Sequence, residues 1–106
     1  MHVQVVTYGL RHATQEDYLA ICRELAPLFA KVPGLATKYW LADPATNTYG
    51  GVYVWINRAA MEANMAGELA ASVMAHPNLE DITSNDFSIL EAPTRVTRGL
   101  PLSRDA

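Results

Sequence analysis

At 106 residues, half of them apolar, the chain is sized for one domain with a single core and needs no metal or disulfide to hold it. Its formal net charge of -3 argues against a nucleic-acid partner, which would ask for a basic stripe to replace phosphate counterions. One cysteine, Cys22, excludes an intrachain disulfide and fits a reducing compartment. The opening MHVQVVTYG has no basic stretch followed by an apolar run, so a signal peptide is not expected. Nothing approaches the roughly 20 apolar residues of a membrane span. A cytoplasmic protein with no membrane partner is the expectation.

Val3 to Tyr8 is rich in β-branched residues and predicts a first strand, closed by Gly9. Thr14 then reads as an N-cap, with Gln15, Glu16 and Asp17 in the positive first turn of a helix. Tyr18, Cys22, Leu25, Phe29 and Val32 recur at spacings of four, three, four and three, which makes one apolar helical face. Pro27 kinks its last turns and Pro33-Gly34 ends it.

Leu35 to Ala42 predicts a second strand and Gly51 to Ile56 a third, joined by a loop from Asp43 to Thr48. The segment from Gly34 to Trp55 holds five of the nine aromatic residues. Pairing Asp43 with Tyr49 sets Tyr39 opposite Tyr53. Tyr39, Tyr53 and Trp55 then share one face, and Trp40, Val52, Val54 and Ile56 the other. Both faces are bulky, so both must be covered, and a chain this short has helices for one.

Asn57 caps the next helix, whose stripe is Met61, Met65, Leu69 and Val73; Gly67 is a point of division and His76-Pro77 a stop. Leu79 to Leu90 carries the last strand, best defined at Phe87 to Leu90. The order β-α-β-β-α-β is a ferredoxin-like α+β subunit, an antiparallel sheet with both helices on one face, over residues 1–92. Its bare face implies a homodimer, two sheets pressed together as a dimeric α+β barrel. Residues 93–106 read as a tail. It holds three of the eight basic residues, Arg95, Arg98 and Arg104, and docks more plausibly on the partner subunit than on DNA.

The three histidines, His2, His12 and His76, have no ligand spacing to one another, so no metal site is expected. His76 is the one expected to reach an interior, either as a helix C-terminal residue on the dipole or as a catalytic base. Gly50-Gly51 is no phosphate loop; it reads as a bulge or a close backbone approach. Cys22 reads as core filler rather than nucleophile. The Met61/Met65 stripe suits either core packing or an adaptable ligand surface. Lys38, alternating with large aromatics, either snorkels to the edge or meets an anionic group. Tyr39, Trp40, Tyr53 and Trp55 are packing residues whose phenol and indole donors need partners when buried. A cavity among them suits a planar aromatic or polyketide-like ligand.

Pro33-Gly34-Leu35, Lys38-Tyr39-Trp40 and Gly50-Gly51-Val52-Tyr53, with the closing run Asp86-Phe87-Ser88-Ile89-Leu90 before Ala92-Pro93, resemble the YdhR-type mono-oxygenase family over nearly the whole chain. The resemblance implies the dimeric α+β barrel of the antibiotic-biosynthesis monooxygenases. It also implies a reaction without metal or flavin, in which an electron-rich phenol or enol itself reduces oxygen. On that expectation His76 and Tyr53 are catalytic, and Lys38, Trp40, Trp55, Met65 and Phe87 bind a small aromatic or polycyclic substrate, with no cofactor. Where the family often carries a Glu two places after the tryptophan, this chain has Ala42. The second helix has no Trp, so haem degradation is not expected. The alternatives are a protein that holds a small apolar molecule unchanged, as in a stress response, and an isomerase or cyclase on the same scaffold.

Overall fold

A computed structural model describes residues 1–99. Strand β1 runs over His2–Leu10, helix α1 over Gln15–Ala30, β2 over Leu35–Asp43 and β3 over Thr48–Trp55. Helices α2, Arg58–Met65, and α3, Glu68–Met74, follow, then β4, Leu79–Ser88, and a short α4, Glu91–Val96. The strands form one antiparallel sheet in the order β2-β3-β1-β4. This is the ferredoxin-like α+β subunit. Among the described residues no helix is long and apolar enough to cross a membrane.

Local chemistry sets the helices. Thr14 accepts a hydrogen bond from the Asp17 amide at 3.1 Å while the Asp17 carboxylate accepts one from the Thr14 amide at 2.8 Å, a reciprocal capping box. Asn57 caps α2 through the Ala60 amide at 2.8 Å. Gly67 divides the second helical segment and becomes the N-cap of α3.

Strand β1 alternates strictly: His2, Gln4, Val6, Tyr8 and Leu10 are buried under the helices, and the residues between them are partly exposed on the other face. Helix α1 meets the sheet through rings, Tyr18 edge-on to Tyr8 and Tyr49, and Phe29 edge-on to Trp40 and Tyr53.

The β2-β3 register differs by one residue from the pairing expected. Asp43 pairs with Thr48, not Tyr49, so Lys38 lies opposite Tyr53 and Tyr39 opposite Val52. The turn decides this. Pro44 to Thr46 form a single 3-10 turn, Asn47 takes a left-handed conformation at φ 51°, and the Thr46 hydroxyl donates to the Asp43 carboxylate at 2.9 Å. A one-residue slip exchanges the faces. Lys38 and Trp40 therefore join Tyr53 and Trp55 beneath the helices, and Tyr39 turns to the open face.

That open face carries Val3, Val5, Leu41 and Val52 with two large exposed rings, Tyr39 at 61 % and Phe87 at 58 % exposure. Phe87 pairs with Val3 there, away from the helices. Three further expectations are corrected. The last strand ends at Ser88, not Leu90, and Leu90 instead caps α4. The segment from Pro93, expected to be tail, begins inside α4, which is tied back by the N-terminal ammonium on Glu91 at 3.0 Å. Arg104 lies outside the described residues. Finally, His2 and not His76 is the most buried histidine, held by Asp86 at 2.5 Å.

Candidate functional site

Lys38 sits on β2 two residues from Trp40, so the pleat sends both side chains toward α1. Its ammonium nitrogen lies 3.5 Å from the ring centres of both Phe29 and Trp40 and 4.6 Å from that of Tyr53. It stands on an edge strand, half-buried, and among the described residues it makes no ion pair with an acid. Gly51 makes room for it. A Cβ at Gly51 would fall 2.9 Å from Lys38 Cε and 3.3 Å from a Tyr53 ring carbon. The neighbouring Gly50, at φ 145°, lies so close to β1 that a Cβ would meet the Val6 carbonyl at 1.9 Å. The Gly50-Gly51 pair is thus the close backbone approach expected, with a consequence for the lysine that was not.

Burial lowers the Lys38 pKa from the ordinary 10.5 to about 7, with nearby Cys22 pulling weakly the other way. The ring faces also favour the charged form, which keeps the ammonium accessible near neutrality. The sign of its effect on stability follows. Below about pH 7 folded and unfolded chains both carry the charge, and only the folded one bears its desolvation. Between about pH 7 and 10.5 the folded chain releases the proton first, so this group's contribution to stability rises with pH. Lys38→Met is therefore expected to be more resistant to urea than wild type at pH 6, with the advantage shrinking by pH 9. An advantage that grew with pH would contradict the sign.

Lys38, Trp40 and Tyr53 line a cavity of about 180 Å³ between the sheet and α1, whose wall also includes Tyr8, Tyr18 and His76. The Tyr8 and Tyr18 hydroxyls hydrogen-bond one another. Burial pushes the phenol pKa values of Tyr8, Tyr18 and Tyr53 up, so all three are hydrogen-bond donors at neutral pH. The Tyr53 hydroxyl has no protein partner among the described residues, and Tyr53 lines this space. His76 accepts a hydrogen bond at Nδ1 from the Asn78 amide at 3.1 Å. In the neutral ring the proton is then on Nε2, so His76 offers the cavity a donor, not a lone pair.

A second cavity of about 150 Å³ shares Phe29, Tyr53 and Val73 as walls and continues toward α2, where Met65, Gln4 and Ser84 line it. A dry cavity of about 150 Å³ takes one benzene ring. Gln4, 1 % exposed, donates to Ser84 Oγ at 3.0 Å and contacts Met65 Sδ at 3.2 Å, while its carbonyl accepts from Trp55 Nε1 at 3.1 Å. Trp55 is fully buried and lies parallel to Tyr53 with ring centres 5.8 Å apart.

The structure thus brings His76, Tyr53, Lys38 and Trp40 to one cavity and Met65 to the adjoining one. It does not bring Trp55 or Phe87 to either. Trp55 backs the Tyr53 ring from within the core, and Phe87 is on the opposite face of the sheet. Gln4, Phe29, Tyr8, Tyr18 and Gly51 belong to the site and were not singled out for it by the sequence. The period-2 pattern of β1 was the available signal for Gln4 and Tyr8. For Gly51 there was none, because its role depends on the hairpin register.

Gly51→Ala tests that role. The methyl group displaces the flexible end of Lys38 from its rings, while the Tyr39 carbonyl, 3.2 Å away, must give by a few tenths of an ångström. Affinity for 2-naphthol, followed by fluorescence, is expected to fall about tenfold, or about 1.4 kcal/mol. Unchanged binding would remove Lys38 from the ligand's surroundings.

The family described as "Putative mono-oxygenase ydhR" matches residues 3–100. No curated protein matches the sequence. Among solved structures, an antibiotic biosynthesis monooxygenase from Deinococcus radiodurans, itself assigned as putative, superposes with a TM-score of 0.72 at 17 % identity. That match covers 87 % of this chain and 95 % of the other. SnoaB from Streptomyces nogalater, a cofactor-independent oxygenase, gives a TM-score of 0.63 at 20 % identity over 83 % of this chain and 92 % of its own. A variant of MhuD with two manganese protoporphyrin IX molecules bound per active site gives 0.68 at 16 % identity, over 85 % and 95 % of the two chains. At these identities the structural likenesses establish the fold, that of the antibiotic biosynthesis monooxygenases. With the family match spanning nearly its whole length, the chain belongs to the YdhR mono-oxygenase family.

Proposed function

We propose that the chain is a cofactor-independent mono-oxygenase acting on a small phenol or enol of one or two rings. One observation carries this reading: an amine with a pKa of about 7, caged by Phe29, Trp40 and Tyr53, lies on a cavity wall with two unpartnered donors, Tyr53 Oη and His76 Nε2.

The neutral Lys38 amine accepts the substrate's acidic proton and becomes an ammonium beside the anion it has made. The ring faces and the anion then stabilise that charge together. The electron-rich anion gives electrons to dioxygen and bonds to it through a carbon that bears hydrogen. The O–O bond then breaks as that carbon loses its hydrogen, which leaves a carbonyl group in the oxidised substrate and releases the second oxygen atom as water. The Tyr53 hydroxyl and the His76 Nε2–H stabilise the negative oxygen as it develops. In this reading Tyr53 and His76 both act as donors, and the proton acceptor is Lys38 in place of the His76 base expected from the sequence. The two adjoining cavities, each the size of one ring, set the substrate's dimensions, with Met65 at the far end as an adaptable wall.

The working unit of this proposal is a homodimer. Tyr39, Phe87 and the aliphatic residues between them form an apolar face that the subunit's own helices leave open, and a second copy covers it sheet to sheet. Oxygen uptake and product mass with benzene- and naphthalene-based hydroquinones test the activity. Turnover above buffer that is lost in Lys38→Met supports it; no turnover across the panel would leave a protein that binds such molecules unchanged.

A further inference from the structure

We propose that Lys38 gives the same cavity a second, oxygen-independent activity: covalent capture of an aromatic aldehyde or ketone as an imine. The geometry has the parts this needs. Nζ lies on the wall of a ring-sized cavity, makes no ion pair or hydrogen bond with an acid among the described residues, and is flanked at 3.5 Å by the Phe29 and Trp40 rings. An aromatic carbonyl compound of one ring fits the cavity these residues line, where its carbonyl carbon can be brought to the nitrogen.

In the step, the Nζ lone pair forms a bond to the carbonyl carbon and the carbonyl electron pair moves to oxygen. The carbinolamine oxygen is protonated and leaves as water, and the nitrogen keeps a double bond to carbon. Nothing is oxidised or reduced. His76 Nε2–H and the Tyr53 hydroxyl are the donors at hand for the departing oxygen.

The titratable groups around the amine's cavity are Tyr18 and Glu24 from α1, Tyr8 from β1, Tyr53 from β3 and His76 after α3, with Cys22 of α1 close to the amine. Burial raises the pKa values of the phenols and the thiol, so these groups stay neutral near pH 7. Rival amines are few: Lys31, exposed at the end of α1, and the Met1 ammonium, held by Glu91 at 3.0 Å.

The full chain, kept anaerobic, is incubated with 6-methoxy-2-naphthaldehyde and cyanoborohydride at pH 7, and the adducts are mapped by peptide mass. Labelling is expected at Lys38 at least about tenfold above Lys31, which is exposed at the end of α1. It is expected to vanish from that peptide in Lys38→Arg with no compensating rise elsewhere. Label confined to Lys31 and Met1, with Lys38 unmodified in folded protein, would overturn the proposal. Oxygen uptake with a hydroquinone, which has no carbonyl, reads the oxygenase separately, so either activity can fail alone.

Discussion

Lys38→Met is expected to lower oxygen consumption with a turned-over hydroquinone by about 10²-fold or more, the range of a positioned acid–base group. The loss should fall mainly on kcat, because Met keeps the apolar contacts with Phe29 and Trp40 and removes only the proton acceptor and the charge. Lys31→Met, exposed at the C-terminus of α1, should match wild type. Tyr53→Phe should cost less than Lys38→Met, since it removes one donor and leaves the amine in place. In wild type, kcat/KM should rise with pH through about 7 as the amine loses its proton. A rate that falls through that range would give the ammonium, not the amine, the working role. Equal rates in Lys38→Met and wild type would take the cage out of the chemistry altogether.

Wild type is expected to be a dimer at micromolar concentration and the double variant Tyr39→Asp/Phe87→Asp a monomer. Both rings stand on the open sheet face, 61 % and 58 % exposed in the single subunit, and neither touches the cavities. A two-fold interface repeats each substitution on both sides, which places four carboxylates in an apolar contact. A stable interface of standard size buries about 800 Å² per partner, and desolvating unpaired carboxylates there far outweighs the area gained. Sedimentation velocity reads the outcome. Wild type sedimenting as a monomer would contradict the sheet-to-sheet dimer, as would a double variant that still dimerises.

How much of this was legible in the sequence varied with the kind of signal. The helices were readable because their determinants are local: Thr14 with Asp17 at one end, the Tyr18-Cys22-Leu25-Phe29 stripe, and Gly67 at the break. The hairpin was readable as a hairpin but not in register. Alternation identifies the buried face only when the other face is polar, and here Tyr39 and Trp40 are adjacent and both large. The turn geometry chose between them, through a left-handed Asn47 that composition alone does not reveal.

The site shows the same division. Lys38, Trp40, Tyr53 and His76 were all named and do share a cavity, while Trp55, one alternation along from Tyr53, is spent on packing against it. Phe87 was placed by its run of neighbours, and pairing with Val3 turns it to the far face. What could not be read was the cage itself, because it needs Phe29 from α1 and the missing side chain of Gly51 opposite. The buried His2–Asp86 pair likewise joins residues 84 positions apart, and no local pattern marks it.

The central claim is that Lys38 is an amine poised near neutrality inside a ligand-sized cavity. Nuclear magnetic resonance titration of the lysine Cε and Nζ signals tests it directly, with Lys31 as the second, exposed lysine in the same spectrum. The account predicts a Lys38 midpoint of about 7, well below that of Lys31, and a rise in that midpoint when 2-naphthol occupies the cavity. A Lys38 midpoint near 10.4, the ordinary lysine value, unmoved by the phenol, would contradict it.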